Sequence, residues 1–137
     1  MRIAFSVTGV PPKKDGANSM WRKGPEVVRL KTLRAAALEA LGSRDIPVGS
    51  VRLTLTLWAD RRAGDLDNFI TGIYDGLMAA HAGTPIDDSL WADVPAGAQP
   101  GRQVALQDDS WVSSITAERF ASDLTGQRYE VTIEWAE

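Results

Sequence analysis

The sequence contains no cysteine and only one histidine, His81. The absence of cysteine excludes disulfide bonds, thiol chemistry and cysteine-based zinc sites, and it is compatible with the reducing cytoplasm, where we expect the protein. One imidazole cannot form a multi-histidine metal site within a single chain. No apolar run approaches the ~20 residues of a membrane-spanning helix, so we expect no membrane partner.

The periodicity of the chain predicts a single α+β domain over residues 1–137. Six periodic segments follow one another in the order β-α-β-α-β-β, near residues 2–9, 25–41, 51–59, 68–80, 111–119 and 128–136. The third segment alternates strictly between apolar and polar residues, which is the pattern of a half-buried strand. We therefore expect a mixed sheet of about four strands with two helices packed on it. Residues 81–106 are loop-like and rich in glycine and proline.

The first predicted helix has one apolar stripe and a set of basic residues beside it. Pro25 opens the helix, where a missing N–H costs nothing, and Gly42 is a suitable stop. The stripe consists of Val27, Leu30, Leu33, Ala37, Leu38 and Leu41. Arg29, Lys31 and Arg34 lie largely off this stripe, which predicts a solvated position for them.

Charge is unevenly distributed, although the net charge is only −3. Residues 1–34 contain eight basic and two acidic side chains, whereas the other 103 residues contain seven basic and sixteen acidic ones. A basic segment beside an acidic remainder is typical of a polyanion-binding protein whose acidic part holds cations. An ordinary solvated helix face with charged loops is the alternative interpretation.

The segment GDLDN, residues 64–68, contains two closely spaced carboxylates, Asp65 and Asp67. If residues 65–67 are extended, the two side chains point the same way, because side chains alternate along a strand. Mg²⁺ usually takes one or two carboxylates together with waters and phosphate oxygens, which such a pair would allow. Alternatively, Asp67 or Asn68 caps the second helix, and the remaining acid is a loop residue.

A third carboxylate would strengthen the metal hypothesis, and two acidic pairs are candidates. IDDSLW contains Asp87 and Asp88, while QDDSWV contains Asp108 and Asp109. The second pair leads directly into a predicted strand, which would hold a ligand rigidly. On this argument we favour the second pair, Asp108 and Asp109, and the first pair, which contains Asp88, stays the alternative.

Together these motifs resemble the RusA-like family of Holliday-junction resolvases, also called crossover-junction endodeoxyribonucleases. The resemblance depends on GDLDN followed after six residues by DGL, on DDSWVSSI, and on the N-terminal FSVTGVPPKKDGANSMWRKG. It covers nearly the whole chain, except that residues 81–106 look like an insertion. It implies a RusA-like α+β fold and a small homodimer that binds four-way DNA junctions in recombination and repair. It also implies paired incisions that depend on Mg²⁺, with Mn²⁺ as a substitute.

The resemblance assigns catalysis and metal binding to Asp65, Asp67 and Asp109. Asn68 is expected to cap the helix or to hydrogen-bond the metal ligands from behind. Asp108 either supports the site in the same way or is a solvated turn residue, which we favour. For Asp75, two turns beyond Asp67, we expect a structural or solvent-exposed role.

The chain departs from the family pattern at Thr71, where the family usually has a lysine. A lysine one turn beyond Asp67 would reach a phosphate or an attacking water, and threonine cannot. Either another cation replaces it, or the protein binds junctions with little or no cutting. The candidate cations are Lys13, Lys14, Arg61, Arg62 and Arg119.

DNA contacts are expected from basic residues that meet phosphates. These residues are Lys13, Lys14, Arg22, Lys23, Arg61, Arg62 and Arg119. Trp21 lies in the same N-terminal loop, where it either stacks on an opened base or closes the loop against the core, the role that we favour. A third interpretation is a protein-interaction module whose acids only keep it in solution, and divalent-ion binding separates it from a nuclease.

Overall fold

One four-stranded mixed sheet organises the chain in a computed structural model that describes residues 1–14, 19–22 and 24–136. Its strands are β1 (Arg2–Thr8), β2 (Val51–Ala59), β3 (Val112–Ala121) and β4 (Arg128–Trp135). They lie in the order β1-β4-β2-β3, with β4 antiparallel to both neighbours and β3 parallel to β2. The α+β class and the mixed four-stranded sheet are confirmed, and β2 has the predicted bounds.

Two long helices and one short helix accompany the sheet. They are α1 (Gly24–Leu41), α2 (Leu66–Leu77) and α3 (Asp88–Trp91). As predicted, α1 stops before Gly42, whose φ of 67° is the left-handed conformation that glycine adopts easily. None of the described helices has both the length and the apolar content that crossing a membrane requires.

The second helix begins two residues earlier and ends three residues earlier than predicted. Asp65 is its extended N-terminal cap, with φ −84° and ψ 144°, so Leu66 is already helical. Met78 is extended again at the other end, and its N–H bonds the carbonyl oxygen of Asp75 at 3.3 Å. The expected cap at Asp67 or Asn68 is therefore wrong, because the chain already turns into the helix at Asp65.

The core lies on one face of the sheet. Alternate residues of β2 are buried, from Val51 to Ala59, and β4 buries Tyr129 through Trp135 in the same way. The apolar stripes of α1 and α2 join the same cluster of buried side chains. Because side chains alternate, the opposite face of the sheet consists of residues such as Thr54 that stay exposed.

Arg34 lies in the interior, which contradicts the solvated position predicted for it. Its side chain is fully buried, and its guanidinium group lies 5.3 Å from the ring centre of Trp21. Burial lowers the pKa of Arg34 to about 10, so the group is still charged at neutral pH. All its bonds go to backbone carbonyl oxygens, those of Gly76, Met78, Ala98, Gln99 and Arg102.

The prediction of a loop for residues 81–106 holds only in part. The segment includes α3, and it buries Trp91, which stacks on Trp21 with ring centres 5.7 Å apart. Near its end, the N–H groups of Val104 and Ala105 both lie 3.1 Å from the carbonyl oxygen of Leu77. The segment is thus packed against α1 and the end of α2.

Candidate functional site

The loop between β2 and α2 is held in place by side chains from two other parts of the chain. Arg119 of β3 donates to the carbonyl oxygens at both ends of the loop, those of Asp60 at 2.8 Å and Gly64. The amine of Lys13 lies 3.5 Å from the carbonyl oxygen of Ala63. These contacts fix the backbone that leads into the acidic motif, and fixed backbone is what a metal or phosphate site requires.

Gly64 allows this loop to pass close to α2. Its φ of 149° disfavours any residue with a side chain, and a Cβ there would lie 3.0 Å from the ring of Phe69 and 3.2 Å from the side chain of Lys13. The glycine of the GDLDN motif is therefore required for a structural reason: the loop passes so close to α2 that a side chain would not fit.

Asp65 and Asp67 are exposed at the N-terminus of α2. The carboxylate of Asp65 makes no capping hydrogen bond, although the residue stands at the cap position. Among the described residues, no hydrogen bond or ion pair uses either carboxylate. The two side chains do not share an extended segment, because residue 67 is already in the first helical turn, so the expected parallel orientation is not supported. Both carboxylates remain available for a cation.

Asn68 bonds the N-terminal segment through its main-chain carbonyl group, and Thr71 bonds the helix backbone through its hydroxyl group. The carbonyl oxygen of Asn68 accepts the N–H of Lys14 at 3.3 Å. The hydroxyl of Thr71 donates to the carbonyl oxygen of Asp67 at 3.0 Å, one turn back along the helix. Position 71 thus brings no charge to the site, as its sequence indicates.

Asp108 and Asp109 form a 3₁₀ turn directly before β3. Asp108 caps the turn by accepting the N–H of Ser110 at 2.8 Å, and this bond holds the pKa of its carboxyl group below its usual range. Asp109 is exposed and, with Tyr74 of α2 and Ile115 of β3, lines a groove of about 200 Å³. The capping role of Asp108 agrees with the turn residue that we favoured.

Asp88, the alternative third acid, is the first residue of α3. This short helix packs through Trp91 against Trp21 and α1. Its neighbour Asp87 caps that helix by accepting the N–H of Ser89 at 3.1 Å. The two sequence-similar acidic pairs therefore form similar capped turns, but only Asp109 lies beside α2 and β3.

Magnesium fits the donor chemistry of this region with two protein ligands. Within the described ranges, no three histidine, aspartate or glutamate side chains lie close enough to hold a metal ion together. Asp65 and Asp67 nevertheless offer carboxylate oxygens that no lysine or arginine of the described residues neutralises. Mg²⁺ takes one or two carboxylates and completes its shell with water and phosphate oxygens. The metal-ligand role of Asp109 stays a prediction.

The predicted DNA-contact residues lie in different situations. Arg22 and Arg61 are exposed, and Arg62 is exposed but paired with Asp60 at 3.1 Å. Arg119 and Lys13 are partly buried in their contacts with the loop, and Lys23 lies outside the described residues. Among the predicted contacts that the structure describes, the exposed ones are therefore Arg22, Arg61 and Arg62.

Lys14 and Asp75 form an ion pair that the sequence did not reveal. The ammonium nitrogen lies 2.8 Å from a carboxylate oxygen of Asp75, whose side chain is only 11% exposed. The hydrogen bond to Asp75 raises the pKa of Lys14, and Asp109 adds a smaller electrostatic contribution in the same direction. Asp75 is thus the largely buried partner of an ion pair, which disfavours the solvent-exposed role that was one of its two expectations. Its partner lies 61 positions away, so no local pattern identifies it.

Gly72 explains how the N-terminal segment can lie on α2. A Cβ at this position would lie 2.0 Å from the carbonyl oxygen of Pro12 and 3.0 Å from the Cα of Lys13. Only a residue without a side chain permits this approach. A glycine inside an amphipathic helix is the sequence signal that could have indicated the contact.

Trp21 is 4% exposed and packs against Trp91, so its role in closing the loop against the core is confirmed. In this conformation its ring is not accessible for stacking on a nucleobase.

The fold and the site together define a small α+β domain with an exposed acidic pair beside basic residues. No protein-family model and no curated protein sequence matches the chain. The function is therefore argued from the residues themselves.

Proposed function

We propose that this protein is a metal-dependent endodeoxyribonuclease that cuts Holliday (four-way) DNA junctions in recombination and repair, on a RusA-like fold. One observation carries the proposal. Within the described part of the chain, Asp65 and Asp67 form no ion pair at the end of a fixed loop, although that loop contains Arg61 and Arg62. Unpaired acids beside exposed cations suit a site that takes a metal ion and a phosphate together.

In this proposal, Asp65 and Asp67 would hold a Mg²⁺ or Mn²⁺ ion. Asp109 is proposed as the third ligand, although the described residues do not bring three such side chains together without the metal. When bound, the metal supplies an activated water and neutralises charge on the phosphate. Arg119 fixes the loop before Asp65, and Asp108 fixes the turn that carries Asp109. The protein thus contributes the positions of the carboxylates.

Exposed basic residues supply DNA affinity through the phosphates, with Arg22 and Arg61 as the most accessible contacts. For such binding, the logarithm of the binding constant falls linearly with the logarithm of the salt concentration, with a slope of about −0.9 per neutralised phosphate. Two incisions in a symmetric junction require two sites, which a twofold homodimer provides. We place this activity in the cytoplasm.

A second candidate is a junction-binding protein that does not cut. The observation that favours it is Thr71, whose hydroxyl bonds the helix backbone and whose position offers no cation to a phosphate. This protein would keep the basic surface and bind the same DNA.

The test is cleavage of a synthetic four-way junction and a matched linear duplex in Mg²⁺, Mn²⁺ or EDTA. Wild type is compared with Asp67→Asn and with Asp45→Asn, an exposed acid outside the site that serves as the matched control. The nuclease predicts junction-selective, metal-dependent cutting that Asp67→Asn abolishes and Asp45→Asn retains, with both variants folded. Asp109→Asn and Asp88→Asn then show which acid is the third ligand.

Junction binding without cutting in either metal would support the second candidate. A wild-type protein that neither binds nor cuts junctions would contradict both candidates. Loss of folding in Asp67→Asn would contradict the assignment of Asp67 as a ligand, since an exposed carboxylate without partners should not be needed for stability.

A further inference from the structure

The backbone of Lys14 is fixed on α2 by two independent contacts. Its N–H donates to the carbonyl oxygen of Asn68, in the first turns of the helix. Two residues earlier, the carbonyl group of Pro12 lies against Gly72, where a side chain would not fit. Residue 14 therefore has a defined position over the helix that begins with the acidic motif.

The side chain of Lys14 is fixed as well, and it still reaches solvent. Asp75 holds its ammonium group at 2.8 Å, and the lysine side chain is 41% exposed. An ammonium group has three donors, so two remain for another acceptor after the bond to Asp75. Asp109 lies near enough to contribute to the electrostatic environment of the amine. The positive charge thus lies on α2, within electrostatic range of the turn before β3.

We propose that Lys14 is a phosphate-binding residue of the candidate site and that Asp75 positions it. The inference rests on the proposed function and answers a question that the sequence left open, namely which cation serves where Thr71 provides none. Its ligand is a non-bridging oxygen of a DNA phosphodiester, to which the ammonium donates hydrogen bonds. The lysine forms no covalent bond to the DNA.

Three of the four other candidate cations are committed elsewhere, and no hydrogen bond or ion pair among the described residues fixes the fourth, the exposed Arg61. The guanidinium group of Arg119 donates to the carbonyl oxygens of Asp60 and Gly64, and the amine of Lys13 faces the carbonyl oxygen of Ala63. Arg62 is paired with Asp60. Lys14 is the candidate that is held by a carboxylate of α2, the helix that begins with the acidic motif, and the described residues use only one of its three donors. This combination suits a positioned phosphate ligand.

A purely structural ion pair is the simpler alternative, and a matched pair elsewhere in the chain allows the two to be separated. Lys31 and Asp93 form an ion pair of 2.7 Å in which the lysine side chain is 23% exposed. Lys31→Met removes one charge and one ion pair, as Lys14→Met does. Only a role in phosphate binding makes the two variants differ in function.

The first measurement is junction binding in EDTA, with fluorescence anisotropy as the readout, over a range of salt concentrations. Loss of one phosphate contact should reduce the log–log salt slope by about one in Lys14→Met, and Lys14→Arg should retain the slope. Lys31→Met should keep the wild-type slope. An unchanged slope in Lys14→Met, or an equal loss in Lys31→Met, would overturn the inference.

The second measurement is cleavage kinetics in Mg²⁺. We expect Lys14→Met to lower kcat by about 10²-fold, the usual effect of removing one positioned donor from a reacting oxygen. Asp75→Asn should lower kcat by about tenfold with little change in the salt slope, and Asp75→Glu should restore part of the rate. A wild-type kcat in Lys14→Met would overturn the inference while leaving the nuclease intact. If wild type cuts nothing, the nuclease proposal fails, and the salt slope alone then decides whether Lys14 contacts phosphate.

Discussion

Replacing Arg34 by methionine should destabilise the protein more than any single surface substitution. The guanidinium group is buried and makes five hydrogen bonds, with donor–acceptor distances between 2.6 and 3.1 Å. The acceptors belong to the end of α2 and to the segment that follows it. Methionine fills a similar volume but donates nothing, so each of these carbonyl groups loses the bond from Arg34. The carbonyl oxygen of Gln99 still accepts the N–H of Arg102 at 2.9 Å.

The expected loss follows from two opposing effects. Bonds from a charged donor contribute about 1.5 kcal/mol each, which gives about 7 kcal/mol for the five bonds of Arg34. Burial lowers the pKa of this arginine from 12.5 to about 10, so removing the buried charge returns about 3 kcal/mol. The net cost is about 4 kcal/mol, in the range measured when a buried charge is separated from its partners. In a domain of this size, that loss lowers Tm by about 12 °C.

The measurement is urea unfolding at pH 7, with Arg44→Met as the matched control. Arg44 also donates to helix carbonyl oxygens, those of Leu41 at 2.9 Å and Ala40 at 2.8 Å, but it is exposed. Its loss should cost less than ~1 kcal/mol, because water replaces the donor. If the two variants unfold at the same urea concentration, the argument that Arg34 anchors the segment after α2 is refuted.

Three further predictions concern the site and its surroundings. Gly72→Ala should destabilise the protein by about 2 kcal/mol in urea unfolding, because its Cβ meets backbone, whereas Gly76→Ala meets only leucine side-chain ends and should cost less. The hydrogen bond to Asp75 raises the pKa of Lys14 in the folded protein. The ion pair should therefore contribute fully to stability below about pH 10, and this contribution should disappear as the pH rises through the raised pKa. A stability difference between wild type and Lys14→Met that stays constant up to pH 11.5 would contradict this. An NMR titration should give Asp108 a pKa below the ordinary 3.8, and a value above it would mean that the capping bond is absent in solution.

Much of the fold was predictable because the sheet is amphipathic. Residues 51–59 alternate strictly, and one face of β2 is buried as that pattern requires. Arg34 was misjudged because charge usually indicates exposure, and nothing local shows that five carbonyl oxygens from residues 76–102 surround it. Contacts of this kind depend on tertiary structure and not on periodicity.

The acidic motif was recognisable from its spacing, but its geometry was not. The expectation for Asp65 and Asp67 required an extended segment, whereas the helix begins between them. Lys14 was one candidate among five, and only the tertiary contact with Asp75 distinguishes it. Local spacing thus identified the carboxylates, while their neighbours came from distant parts of the chain.

The two backbone contacts of Arg119 also have a consequence for how β3 is aligned. This strand is an edge strand with exposed residues on both faces, so burial specifies its register only weakly. A slip of two residues would move every side chain by about 7 Å while keeping the same faces. Arg119 can bridge Asp60 and Gly64 in only one alignment, and Asp109 lies in the turn directly before the same strand. Arg119, near one end of β3, therefore determines the position of the turn that contains Asp109 at the other end.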